Sequence, residues 1–268
     1  MTRTGTAKRR IATAAAGIAA LAMLAAPIAS VATADAAPMA AKTKIAKTVK
    51  AKTPKTTKPT TTAAARQAAT VASPTDFSSI FATQMPALNN AGWATCSTAI
   101  TWKLDTSGLT ADESTRQIAN MQFAFDQWAA ASGLTFQFAG TTTMTYNEAA
   151  FTLTPAEGTP ARQINLAFIA DAASDLLGGG TVGMAGPSSV WQNSKEIQGG
   201  NGIFRIDAVK KMSDVQVRAL FTHELGHVMG LAHAADSGNI MYPVVGDHDE
   251  LGAGDINGVR TMLKPCAA

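Results

Sequence analysis

The chain has 268 residues, 46% of them apolar and 15% charged, which is enough apolar material for a folded core and excludes a wholly disordered protein. Two cysteines are too few for a disulfide-built scaffold or a four-cysteine zinc site. The net charge of +3 divides into +11 over residues 1–75 and −8 over residues 76–268. Because the part expected to fold is acidic, a nucleic-acid-binding domain is disfavoured.

Residues 1–36 have the organisation of a secretory signal peptide. Basic residues at positions 3 and 8–10 precede an uncharged, alanine-rich run, and Ala34-Asp35-Ala36 offers an A-x-A cleavage pattern. An uncleaved membrane anchor is the alternative, because the uncharged stretch is long enough to span a bilayer. Its alanine and threonine content favours cleavage. We therefore expect a secreted, extracellular protein, with cell-wall association left open.

Residues 37–75 are predicted to be a disordered linker or a short pro-segment. Lysine, threonine, alanine and proline dominate, seven lysines fall between Lys42 and Lys58, and aromatic residues are absent. Such a segment cannot bury enough surface to offset its chain entropy. Three roles stay open: a solvated spacer, a propeptide, and a tether that makes weak, salt-sensitive contacts with an anionic cell wall or membrane surface.

Residues 76–268 are expected to form the working domain. Alternating or apolar runs predict strands over 99–104, 134–138, 164–169 and 202–207, and a glycine-rich segment over 178–185 that becomes strand-like. Helices are predicted over 112–131, from Ser213-Asp214 through Gly230, and over 254–263. The glycine pair 199–200 reads as a loop. This order of elements indicates an α/β sandwich with a mixed sheet.

The first predicted helix has one apolar face. Ile118, Met121, Phe125 and Trp128 recur at spacings of three and four residues, as expected for a helix packed on a core. Thr110 or Asp112 is the expected N-cap.

The stretch from His223 to His233 contains the candidate metal-binding and catalytic residues. His223 and His227 are four residues apart on a predicted helix, so both imidazoles project from one face and can share a zinc ion. Glu224 lies beside that metal position, where it can take a proton from water. Gly230 can end the helix, and His233 can then return as a third ligand. Three protein ligands leave one position open, which is the catalytic arrangement.

The pattern HExxHxxGxxH, followed by Met241 in Asn239-Ile240-Met241-Tyr242-Pro243, resembles the metzincin clan of zinc endopeptidases. The sequence Ile-Met-Tyr-Pro is most similar to the matrixin branch, in a secreted bacterial form. Leu251 to Val259 also resembles the start of the last matrixin helix. The resemblance implies a zincin fold in which a mixed, twisted β-sheet packs on two long helices, with a further C-terminal helix.

The resemblance also implies roles for individual residues. His223, His227 and His233 would bind one catalytic Zn²⁺, Glu224 would be the general base, and Met241 would form a hydrophobic floor under the metal. The histidine-rich structural-zinc segment of vertebrate matrixins is missing, so one zinc is expected. Calcium is left undetermined.

Substrate binding is inferred from the same resemblance. The strand near Gly180–Ala185 would be the sheet edge that pairs with an extended polypeptide. Ala219, Pro243, Val244 and Val245 would line the pocket for the side chain after the scissile bond. A small residue at 219 suggests a roomy apolar pocket. Matrixins usually have serine where this chain has Ala234 and an aromatic residue where it has Val245, so the pocket wall departs from the family pattern.

Cys96 and Cys266 have two interpretations. Secretion and an even count favour a disulfide that ties the first strand to the C-terminus. The alternative is a latency switch in which the Cys96 thiolate occupies the open zinc position. The matrixin switch motif is absent around Cys96, which favours the disulfide.

The sequence therefore predicts a secreted, monomeric zinc endopeptidase that hydrolyses peptide bonds of extracellular proteins through a zinc-activated water and Glu224. A secreted, non-catalytic zinc-binding protein or a cell-wall-associated binding protein is the alternative. The intact Glu224 argues against it, because a structural zinc site has no use for a base.

Overall fold

The computed structural model describes residues 72–170, 173–177 and 180–266. The predicted signal peptide, the Lys-rich segment up to residue 71 and the glycines at 178 and 179 lie outside the described residues. No helix within the described ranges is long and apolar enough to cross a membrane.

A five-stranded sheet with the order β2-β1-β5-β7-β6 forms the centre of the domain. Its strands are β1 (Ile100–Asp105), β2 (Phe136–Thr141), β5 (Gln163–Ile169), β6 (Gly183–Trp191) and β7 (Glu196–Arg205). The first three and β7 pair in parallel, whereas β6 pairs antiparallel with β7 and forms one edge. The mixed sheet predicted from the sequence is confirmed.

Within the described residues, four α-helices accompany the sheet: α1 (Ala111–Ser132), α2 (Ile206–Val209), α3 (Asp214–Val228) and α4 (Ala253–Met262). Both long helices begin with a capping box, formed by Thr110 with Glu113 and by Ser213 with Gln216. Of the two residues predicted as the cap of α1, Thr110 is the one that forms it, and α3 starts after Ser213 as predicted. Each cap satisfies free backbone N–H groups at the start of its helix.

The main core lies between the sheet and the helices α1 and α3. Met121, Phe125 and Trp128 of α1 are fully buried, and Ile118 packs against the same cluster while partly exposed. The Trp128 indole Nε1 donates to the Thr222 carbonyl at 2.9 Å. This bond joins α1 to α3 one residue before His223, so the predicted apolar face of α1 supports the helix that carries the site.

The other face of the sheet carries a hairpin that the sequence did not predict. It consists of β3 (Met144–Asn147) and β4 (Thr152–Pro155), which pair antiparallel. A second apolar cluster lies beneath it and includes Leu153 and Ile203. The Asn165 amide donates to the Leu153 carbonyl and the Asn201 amide to the Phe151 carbonyl, so buried amides fix the hairpin to the sheet.

The strand β7 begins six residues before the predicted start, because the glycines at 199 and 200 lie inside it. The loop predicted there is wrong. A Cβ at Gly200 would lie 2.4 Å from Val228 Cγ1, so the glycine lets α3 approach the strand closely. The predicted strand over 202–207 ends at Arg205, and 206 and 207 begin α2.

Other boundaries differ by a few residues. β2 starts at Phe136 instead of residue 134, because Leu134 still belongs to the turn after α1, where its N–H donates to Ser132 Oγ. α3 ends at Val228, two residues before the predicted end, and Gly230 follows with φ of 101°.

A disulfide joins Cys96 to Cys266 across a sequence separation of 170 residues. Beside it, the Lys264 N–H donates to the Trp93 carbonyl and the Thr95 N–H to the Lys264 carbonyl. The predicted disulfide is confirmed. A latency role for the Cys96 thiolate is wrong for this structure, because that sulfur is bonded to Cys266.

Candidate metal centre

Three histidine rings converge at the end of α3. The rings of His223 and His227 are 4.9 Å apart between centroids, as expected one turn apart on a helix. Gly230 adopts the left-handed conformation and the Leu231 N–H donates to the Gly226 carbonyl, which turns the chain back. The ring centroid of His233 then lies 5.1 Å from that of His223 and 4.9 Å from that of His227. Candidate ligand atoms of all three lie within 4.8 Å of one another.

Backbone carbonyls orient two of these rings. His223 Nδ1 lies 2.8 Å from the Ile240 carbonyl oxygen, and His227 Nδ1 lies 2.8 Å from that of Leu231. A carbonyl can only accept, so each Nδ1 carries the proton and each Nε2 keeps its lone pair. Such a second hydrogen bond is what fixes a metal-binding histidine.

The electrostatics of the three histidines fit a cation. Burial lowers the pKa of His223 from 6.5 to about 4 and also lowers the pKa of His227 and His233. All three are therefore neutral at pH 7, the form in which imidazole binds metals. Neutral nitrogen ligands in a three-histidine set suit Zn²⁺.

Glu224 is buried beside the triad at 6% exposure, and its Oε2 has no hydrogen-bond partner among the described residues. Burial raises the pKa of Glu224 from 4.5 to about 8, and a hydrogen bond from the Ala185 N–H opposes that rise. A buried carboxylate with a free oxygen is costly unless it faces a charge or a reacting proton. The residues present thus fit a zinc ion on the three histidines with a proton acceptor beside it.

Met241 lies under the histidine-bearing helix and is 2% exposed. A Cβ at Gly226 would lie 2.2 Å from Met241 Sδ, so the glycine between the two helical histidines makes room for the methionine. The turn around Met241 is held by Asp255, whose carboxylate accepts from the N–H groups of Ile240, Met241 and Gly252 at 2.6, 3.2 and 2.7 Å.

The role of Asp255 was not predictable from the sequence. An acidic residue in the first turn of α4 was the available signal, but it indicates a helix N-terminus and not which loop the carboxylate contacts.

A family model described as Matrixin matches residues 92–264. The chain belongs to the matrixin family. Matrixins are zinc endopeptidases, and the match includes all three histidines, Glu224 and Met241. A 60-residue part of the chain is 38% identical to a protein of Trichoplusia ni ascovirus 2c named "Putative matrix metalloproteinase". That alignment covers 21% of this chain and 12% of the viral protein.

The predicted substrate-pocket residues occupy different environments in this matrixin. Ala219 is 1% exposed and belongs to the main core, one turn before His223. Val245 is half-buried against that core, whereas Pro243 and Val244 are exposed, Val244 to 54%. The structure thus brings Ala219 and Val245 to one core cluster and leaves the other two at the surface.

The loop that carries residues 243–245 is attached to α3. The Arg218 guanidinium pairs with the Asp249 carboxylate, and the Gln216 amide donates to Asp247 at 3.0 Å. Arg218 also lies 4.7 Å from the centre of the Phe123 ring on α1. These contacts hold the loop beside the helix that carries His223.

Proposed function

We propose that this matrixin is a secreted, zinc-dependent endopeptidase that cleaves extracellular proteins with Glu224 as its general base. One observation carries the proposal: three histidine ligand atoms within 4.8 Å of one another adjoin a buried carboxylate whose Oε2 has no partner within the described chain. A purely structural zinc site is closed by four protein ligands and needs no base. A three-histidine site beside a carboxylate is suited to hydrolysis.

Zinc at the three histidines would supply a Lewis acid for the scissile carbonyl and lower the pKa of the attacking water. The proton transfers are carried out by a protein residue. Glu224 accepts the proton of that water at its free Oε2 and then donates it to the leaving amine. Burial raises the pKa of Glu224 to about 8 in the metal-free site, and a zinc ion at the histidines would favour the ionised carboxylate, the form that accepts the proton.

The edge strand β6 is the proposed binding site for an extended polypeptide. It pairs with β7 on one side only, so its other side can offer backbone N–H and C=O groups to a peptide. Gly183 and Ala185 of this strand contact Glu224, so a peptide on this edge would pass directly beside the base. In this binding mode the backbone hydrogen bonds provide affinity, and the side-chain pockets provide specificity.

We propose that Ala219, Pro243, Val244 and Val245 determine which side chain is accepted after the scissile bond. The attachment of their loop to α3 through Arg218 and Asp249 supports this role, because it sets the spacing between Ala219 and the loop. Replacing Ala219 with leucine should reduce cleavage before large apolar residues more than before alanine. Equal losses for both peptides would contradict the assignment.

We propose an extracellular location and a monomeric state, with the Lys-rich segment in weak contact with an anionic surface. The signal-peptide pattern and seven closely spaced lysines support the first and last points. Deleting residues 38–68 leaves the described domain intact and tests the surface contact. Retention of the full-length protein on cells at low salt, lost at high salt and in the deletion, is the expected result.

The proposed activity is tested by removing and restoring the metal. The purified protein should bind one zinc and hydrolyse casein, lose activity with a zinc chelator and regain it when zinc is added back. A protein that binds one zinc without cleaving any peptide would instead support the non-catalytic alternative.

A further inference from the structure

An N-terminal strap, residues 72–81, lies against the loop that carries His233. The Ile80 N–H donates to the Gly230 carbonyl and the Ala232 N–H to the Ser78 carbonyl, both at 2.8 Å. Ser79 and Leu231 form an antiparallel bridge between these bonds. The strap thus pairs with the chain up to one residue before His233. It lies outside residues 92–264, the range that matches the family.

Asp76 holds the same loop on the other side of His233. Its Oδ1 accepts from the Ala235 N–H at 3.1 Å, and its Oδ2 accepts from the Asp236 N–H at 2.7 Å. The Asn239 amide donates to Oδ2 at 3.1 Å. Asp236 of the loop also binds the strap, because its Oδ2 accepts from the Ser73 N–H at 3.1 Å. His233 is therefore flanked on both sides by backbone groups that the strap binds.

Helix α4 fixes the strap from behind. A Cβ at Gly254 would lie 2.5 Å from the Asp76 carbonyl oxygen, and one at Gly258 would lie 2.9 Å from Phe77 Cβ. The Asn257 amide donates to the Pro74 carbonyl at 3.0 Å. The strap thus lies wedged between α4 and the loop, and it cannot shift without moving one of them.

The third histidine depends more on such support than the other two. His223 and His227 lie on a regular helix and have a carbonyl on Nδ1. His233 lies outside any helix or strand, and in the described part of the chain its ring nitrogens have no hydrogen-bond partner. Its direction therefore depends on its backbone and on contacts with the other two histidine rings, with no hydrogen bond on the ring itself.

We propose that Asp76 is a positioning residue for His233 and that the strap is part of the zinc site. The inference rests on zinc binding by the three histidines, as proposed above. It implies that N-terminal processing of the secreted chain must stop before Ser73, because a cut further along the strap would release the loop.

The test compares zinc affinity of the mature chain and its Asp76→Ala variant by competition with a chromophoric chelator. We expect zinc affinity to fall about 10–100-fold, the usual cost of losing a residue that supports a metal ligand. At saturating zinc, casein hydrolysis should recover most of its wild-type rate. Asp76→Asn keeps one acceptor oxygen and should give an intermediate loss, and it replaces the alanine variant if that does not fold.

Thr110→Ala is the matched control. It removes the cap of α1, lowers stability and touches no residue of the loop or the strap. Its zinc affinity should equal that of the wild type. Unchanged affinity in Asp76→Ala, or an equal loss in Thr110→Ala, would overturn the inference while leaving the endopeptidase proposal intact. A wild-type chain that binds no zinc would overturn both.

Discussion

Gly183 faces the carboxylate of Glu224 so closely that a Cβ added to this glycine would lie 2.9 Å from Oε1 and 3.1 Å from Cδ. The edge strand therefore has a glycine where the Glu224 carboxylate needs room. We expect Gly183→Ala to displace the carboxylate and lower kcat by about 10-fold or more, because small misplacements at a reacting centre are costly. Bound zinc, measured by elemental analysis, should stay at one per chain.

Gly186 provides a control for this substitution on the same strand. A Cβ there meets nothing within 4 Å, and its backbone is not in the left-handed region. Gly186→Ala should therefore leave kcat close to the wild-type value. Equal losses in the two variants would show that the strand, and not the space around Glu224, limits activity.

The metal-free protein should have a stability maximum near pH 6.5. Folding lowers the pKa of His223 from 6.5 to about 4 and lowers that of His227, so the unfolded chain binds more protons and stability falls as the pH drops below 6.5. Folding raises the pKa of Glu224 from 4.5 to about 8, so this group lowers the free energy of unfolding as the pH rises from about 4.5 to 8. Above pH 6.5 the histidines no longer offset that loss. Urea unfolding at several pH values in the presence of a chelator measures both limbs.

Among these groups, only Glu224 lowers the free energy of unfolding as the pH rises above 6.5. The slope of this fall should approach about 1.4 kcal/mol per pH unit, the limit for one proton. In Glu224→Gln the fall between pH 6.5 and 8 should disappear, while the acidic limb remains. A persisting alkaline fall in this variant would assign it to other groups.

Most of the site was predictable from the sequence, because its ligands are set by local helix geometry. The spacing of His223 and His227, the turn at Gly230 and the caps at Thr110 and Ser213 all depend on neighbours within a few residues. Such short-range patterns predict where a helix begins and ends and which side chains share a face, without knowledge of the tertiary structure.

What the sequence did not predict depends on distant contacts. The strand over the glycines at 199 and 200 exists because α3 packs against it, and glycine alone reads as a loop. The β3–β4 hairpin is held by amides of Asn165 and Asn201 that lie on other strands. Asp76 and Asp255 each contact segments far along the chain, so no local pattern reveals their partners.

Asp255 should stabilise both the fold and the metal site. Asp255→Ala leaves the buried N–H groups of Ile240 and Met241 without an acceptor, at a cost of about 1–3 kcal/mol each. We expect a lower free energy of unfolding and weaker zinc binding, because the Ile240 carbonyl also holds His223. Asp247→Ala, which loses only an exposed bond to Gln216, should change neither quantity.

The Cys96–Cys266 disulfide should contribute strongly to stability. It closes a loop of about 170 residues, for which the chain-entropy model gives about 5 kcal/mol. The double variant Cys96→Ser, Cys266→Ser should unfold at a much lower urea concentration than the oxidised wild type, and a reductant should lower only the wild-type midpoint. A double variant as stable as the oxidised protein would contradict this expectation.

We propose above that Glu224 acts as the base beside a three-histidine zinc site. The most direct test measures zinc content and casein hydrolysis together for the wild type and Glu224→Gln, an almost isosteric change. We expect one zinc in both proteins and a loss of kcat of about 100-fold or more in the variant. A variant that binds zinc and cleaves casein at the wild-type rate would contradict it.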